Sequence, residues 1–206
     1  FVPRPWWEAS LLLIMAGNFF HMMFLPLLFS AVPDTVDYGL SLGTTVVFGL
    51  FTTFQTALIG AISRERGGRE ASIISPLGSL AVVAVLLLWI VVDEGQTHLP
   101  SPFDSRLAIV AAVPLAWLAL WLTVRGLPLW YGCAGFAAGI GLAMTPRLIG
   151  DLGLGMYFAA LTFGGGAGAL AFDHVGALGL PKRAVTLPRL GGLALVGAGL
   201  VLVRTS

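Results

Sequence analysis

Side chains able to bind or transform a ligand are few in this chain, and two small groups of them fall inside long apolar runs. The first is His21, with Asn18 one turn before it and Met22 and Met23 beside it. An imidazole in an apolar layer suits a haem, pigment or metal ligand, because ionisable groups at such depth usually serve function. A neutral imidazole bonded to Asn18 across i, i+3, or to a backbone carbonyl, accounts for the same residues without any ligand. The runs hold no second histidine to complete a two-histidine ligation.

The second group is Gln55 with Thr52, Thr53 and Thr56, an amide and three hydroxyls on neighbouring turns. Where lipid offers no hydrogen-bond partner, such groups either fasten helices together or line a path for a solute. Gln55, Thr52 and Thr56 are therefore the candidates for substrate contact. Small residues form a third pattern: Gly135-x-x-x-Gly139, Gly164-x-x-x-Gly168 and Ala194-x-x-x-Ala198 each open one helix face to close backbone approach. Helix packing explains them; sliding or dimer surfaces at the interface of two transporter halves are the alternative.

Catalysis finds less support. General acid–base work needs titratable groups gathered in a pocket, whereas Asp37, Asp93, Asp151 and Asp173 fall at run ends where water solvates them. No Ser-His-Asp, metal-ligand or phosphate-loop spacing occurs, and the Gly164–Gly168 cluster lies within an apolar run rather than between a strand and a helix. The one cysteine, Cys133, permits neither an internal disulfide nor a cysteine-built metal site. A net charge of +1 leaves no basic field for nucleic acid. With no Asp or Glu in mid-run, a carboxylate exchange site for cationic solutes has no residue to use. Neither enzymatic activity nor a cofactor or metal is expected.

The elements that must position these groups follow from composition. Hydrophobic residues make up 57% of the 206 and charged ones 10%, and mean hydropathy is +0.93, which excludes a soluble globule. The 27 glycines have no three-residue period, so collagen is excluded too. Uninterrupted apolar runs of about 20 residues, enough to cross roughly 30 Å of hydrocarbon, predict seven spans near 9–31, 39–62, 73–92, 107–124, 129–146, 153–172 and 188–203. They lack the alternation of an outer-membrane barrel, so the fold class is all-α, a polytopic transmembrane helical bundle. Arg125-Gly126-Leu127-Pro128 predicts a tight hairpin between the fourth and fifth spans.

The first run is longer than a signal peptide's apolar core, and Pro3, Pro5, Trp6 and Trp7 before it read as an interfacial anchor. Alternating the spans places Arg4, Arg64, Arg66, Arg69, Arg125, Lys182, Arg183 and Arg189 on one side and Arg106, Arg147 and Arg204 on the other. By the positive-inside rule the N-terminus is expected in the cytoplasm and the C-terminus outside, in a bacterial inner membrane.

From Leu127 onward the chain carries Leu129-Trp130-Tyr131 opening a Gly-rich helix, then Pro146-Arg147-Leu148-Ile149-Gly150. There follow Phe172-Asp173-His174-Val175-Gly176-Ala177-Leu178-Gly179-Leu180-Pro181-Lys182-Arg183 and Leu187-Pro188-Arg189-Leu190-Gly191-Gly192. These strings resemble the C-terminal part of the YdcZ-like branch of the drug/metabolite transporter superfamily. A second match, Phe54-Gln55-Thr56-Ala57-Leu58 with Ser75-Pro76-Leu77-Gly78, is similar to the Gln-bearing first helix of that family and its successor.

The resemblance implies a single integral membrane domain over 1–206, with an added anchor helix over 1–38 and a transporter-like half over 39–206 that holds an extra helix near 107–124. It implies one half of a dimeric transporter for a small neutral or amphipathic solute, with Gln55 at the substrate. The departures are the two added spans and Gly164-Gly165-Gly166, which stands where the family carries a Gly-Gln or Ser-Gln pair. They favour the alternative of a non-transporting accessory or structural subunit of a larger membrane complex. Either way the expected partners are the bilayer and other membrane chains, as a homo- or hetero-oligomer.

Overall fold

The computed structural model describes residues 38–95 and 105–205. The expected span 9–31, with Asn18 and His21, lies outside the described residues.

The described chain is all-α. Its helices are α1 (Tyr38–Arg66), α2 (Gly68–Glu94), α3 (Arg106–Val124), α4 (Phe136–Leu152), α5 (Leu154–Val175) and α6 (Leu187–Thr205). A 3₁₀ segment, Leu129–Gly135, leads into α4. Counting that lead-in with α4, six of these helical stretches are long and apolar enough to cross a membrane. They are helices because an apolar backbone in lipid must bond to itself, and the i to i−4 ladder does this within one segment. At 1.5 Å per residue the 29 residues of α1 reach about 43 Å, beyond the roughly 30 Å hydrocarbon layer. Its last turn accordingly carries Arg64 and Arg66.

Glycine in left-handed or otherwise positive-φ backbone ends several helices. Gly67 (φ 93) separates α1 from α2, and Gly153 (φ 77) separates α4 from α5. The sharp turn expected at Arg125–Pro128 is present: Gly126 has φ 84 and the Leu127 N–H donates to the Val124 carbonyl at 2.9 Å.

Two prolines lie inside helices, as the expected spans 73–92 and 107–124 allowed, and a third does not end a helix where the span 129–146 was expected to stop. α2 runs through Pro76 and α3 through Pro114. α4 continues through Pro146 to Leu152, six residues past the expected end at 146. An apolar surround tolerates the one missing N–H because neighbouring groups re-satisfy the freed carbonyl. The consequence is chemical: Arg147 and Asp151 lie within a helix rather than in a loop.

The chain divides into two compact units. In one, Ile62–Met144, α2 is the central element. Val83, Leu87 and Val91 of α2 and Ile109 of α3 form a buried cluster, with Leu88 and Leu142 packed on it. Trp117 of α3 meets Phe136 edge to face at 6.0 Å. In the other unit, 38–61 with 145–205, α1 packs on α5 through Val46, Gly49, Leu50 and Thr53, and α5 packs on α6.

Candidate functional site

The Gln55 region is built on α1, and its two sides differ. On one side Gly49 meets α5 so closely that a Cβ there would overlap the Leu161 carbonyl and lie 2.8 Å from the Gly165 nitrogen. Gly164 in turn lies against the Val46 carbonyl, and Gly168 against Leu50 and Thr53. Thr53 shares its hydroxyl proton between the Gly165 carbonyl at 3.0 Å, a hydrogen bond between helices, and the Gly49 carbonyl of its own helix at 3.2 Å. Phe54 and Phe172 add a ring contact at 5.9 Å.

Gln55 stands about 160° round the helix from Thr53 at 100° per residue, away from the seam. It is half-buried and not free of partners. Thr52 donates to the Gly49 carbonyl at 2.8 Å, and the exposed Thr56 to the Thr52 carbonyl at 2.9 Å. Both hydroxyl protons are thus committed to α1 itself, the usual habit of threonine in apolar helices, so these oxygens face outward as acceptors only.

Gly135 and Gly139 lie in the other unit. A Cβ on Gly135 would overlap the Ser75 carbonyl, and one on Gly139 would come within 2.8 Å of Val82 Cβ. Gly78 approaches from the α2 side, its position facing the Gly132 carbonyl at 2.8 Å, and Ser75 donates to the Ala134 carbonyl at 3.3 Å. Reading single-helix spacings missed Gly49 and Gly78, since each acts by facing a glycine on another helix. Gly49 lies under two turns before Gln55 and Gly78 closes the Ser75-Pro76-Leu77-Gly78 string, and that placement is the signal that could have found them.

Two ionic clusters were also undervalued. At the N-terminal end of α1, Ser41 (1% exposed) donates to Asp151 Oδ2 at 2.7 Å, and Thr45 (0%) caps the Ser41 carbonyl at 2.8 Å. Arg147 Nε stands 3.8 Å from that same carboxylate oxygen. Only 16% of the Arg147 side chain is exposed, and its Nε is sealed without a hydrogen bond. A buried donor so placed costs about 1–3 kcal/mol. Asp151 therefore sits at a helix end, as expected, yet is engaged by protein rather than simply by water. The i, i+4 spacing of Arg147 and Asp151 was the available signal.

At the opposite end of α5, Asp173 pairs with Arg189 of α6, and its carbonyl accepts the Arg183 N–H at 2.8 Å. Gly176 (φ 67) caps α5 in left-handed backbone, and the Lys182 side chain lies against it. The Asp173–Arg183 string is thus a closed loop that ties α6 to α5, leaving Lys182 and Arg183 exposed.

Among the described residues no group of three or more His, Cys, Asp or Glu could hold a metal ion. Residues 40–202 match the family described as "Putative inner membrane exporter, YdcZ", of the drug/metabolite transporter type. The match takes in the helix over 106–124 as well as the Gln55 helix and the Asp173 loop. No curated protein and no solved structure matches the chain.

Proposed function

Because the chain belongs to the YdcZ family of drug/metabolite-type membrane transporters, we propose that it is one half of a dimeric transporter moving a small neutral or amphipathic solute. Gln55 supplies the central polar contact, with Thr52 and Thr56 beside it. The observation that carries this reading is the division of labour on α1. Gly49 and Thr53 make the seam with α5, while Gln55 stands about 160° round the helix from Thr53, on a different face. A carboxamide in mid-helix, on a face other than the glycine seam, is placed where a solute path through an apolar layer would need a polar contact.

The sidedness follows from charge. Among the described residues Arg64, Arg66, Arg69, Arg125, Lys182, Arg183 and Arg189 share one side of the alternating spans, against Arg106, Arg147 and Arg204. That side is the cytoplasmic face of the inner membrane, with the C-terminus outside.

The test is flux in proteoliposomes across a panel of neutral and amphipathic solutes, comparing the native chain with Gln55→Leu. Loss of a native flux with unfolding behaviour retained supports the site. An unchanged flux for every transported solute refutes it.

A second reading, an accessory subunit without transport, is favoured by one set of observations. Thr52 and Thr56 already donate within α1, and Gln55 has a partner of its own. On that reading Gln55→Leu alters assembly with the partner chain and no flux exists to lose.

A further inference from the structure

Arg147 is a cation set inside a helical span, and the group nearest to it does not satisfy it. Its Nε faces Asp151 Oδ2 at 3.8 Å, too far for a hydrogen bond, and that oxygen is already held by Ser41 at 2.7 Å. Ser41 and Thr45 are buried while Asp151 is exposed, so the Ser41 hydroxyl anchors one oxygen of a carboxylate that otherwise reaches the surface. Asp151 is therefore near enough to orient the guanidinium and lower its cost in an apolar layer, but is held back from closing on it. With Nε sealed, the edge of the guanidinium that can match the planar, two-oxygen geometry of an oxyanion is the terminal Nη1 and Nη2 pair. On the sidedness proposed above the cluster lies at the outer end of α1 and α4, where an exported solute leaves.

We propose that Arg147 binds the oxyanion group, a carboxylate, of the amphipathic solute, with Ser41 and Asp151 as positioning residues. The proposal rests on the transporter reading and narrows its substrate class to solutes with an apolar body and one carboxylate. Asp151 opposes any anion at this corner and a dianion about twice as strongly, so it favours a single carboxylate over a doubly charged group.

The test is calorimetric titration of the full chain in phosphatidylcholine nanodiscs with hexanoate, hexanol and hexylammonium. Hexanoate is expected to bind saturably and the other two not. Arg147→Gln should weaken hexanoate by about tenfold or more, the value of one charge-assisted hydrogen bond, and Arg147→Lys should recover part of that loss by restoring the charge. Ser41→Ala frees Asp151 to close on Arg147, and should weaken hexanoate by about threefold, one ordinary hydrogen bond, while the unfolding midpoint is kept. This variant and Arg147→Lys decide the matter should Arg147→Gln not fold.

Equal binding of hexanol, or native affinity in Ser41→Ala and Arg147→Lys alike, overturns the site. Adding phosphatidylglycerol should leave the hexanoate affinity unchanged; competitive displacement would identify a lipid phosphate as the occupant and overturn the solute site. Gln55-dependent flux without Arg147-dependent binding removes this site and spares the transporter reading. Binding without such flux does the reverse.

Discussion

Gly135→Ala adds one methyl group at the closest helix approach in the Ile62–Met144 unit, and its cost can be reasoned atom by atom. The new Cβ would overlap the Ser75 carbonyl oxygen and lie 2.7 Å from the Gly78 carbonyl carbon. Both are backbone atoms, so no side chain can rotate away and α2 must move. Overpacking that shifts backbone costs typically about 1–3 kcal/mol. The same movement stretches the Ser75 bond to the Ala134 carbonyl, already 3.3 Å long, for a further loss of about 0.6 kcal/mol in a membrane setting. Against these stands the better helix propensity of alanine, about 1 kcal/mol.

The net expectation is destabilisation of about 1.6 kcal/mol, roughly a fifteenfold change in the folding equilibrium. The assay is unfolding by sodium dodecyl sulfate in mixed micelles, followed by tryptophan fluorescence. Gly199→Ala serves as control, since nothing lies within 4 Å of a Cβ at that position in α6. If the two variants unfold at the same detergent fraction, the close-approach argument for Gly135 is wrong.

Three further outcomes follow from the same geometry. Thr53→Val removes the bond to the Gly165 carbonyl and should cost about 0.6–1.7 kcal/mol in the same unfolding assay; no change would mean the seam holds by glycine packing alone. Asp173→Asn takes the charge partner from Arg189, whose Nη1 is already sealed without a bond, so the loop should open and trypsin should cleave after Lys182 or Arg183 several times faster. Unaltered cleavage would show that the Arg183 N–H and Gly176 alone hold the loop. In a Cys133→Ala background, Gly68→Cys and Ser105→Cys should be labelled by an impermeant maleimide from opposite faces of inverted and right-side-out vesicles; labelling from one face would refute the proposed topology.

Membrane character, the helical class and the approximate position of six helices were legible in the residues alone, because each is a local property. A run of about 20 apolar residues in lipid has no option but to satisfy its backbone internally, and every described run did so. Glycine and proline at Arg125–Pro128 likewise marked a turn, since positive φ is cheap only without a Cβ. Pro146 misled for the same local reason: its missing N–H breaks helices in water but is tolerated in a packed apolar surround, so α4 ran on and carried Arg147 and Asp151 into the span.

What only the tertiary structure decided is which polar groups are taken and which are left over. Spacing could not say that Thr52, Thr53 and Thr56 all turn toward carbonyls of α1 while Thr53 alone of the three also reaches Gly165, since they are equivalent as letters in a helix. Nor could it pair Gly49 with Gly164 and Gly165, or Ser41 with Asp151, which lie more than a hundred positions apart in the chain. Span periodicity assigns a residue to a face of its own helix; the identity of the opposing backbone depends on how separate helices dock. In lipid that docking is set by close packing and a few hydrogen bonds rather than by hydrophobic burial, so hydropathy carries no record of it.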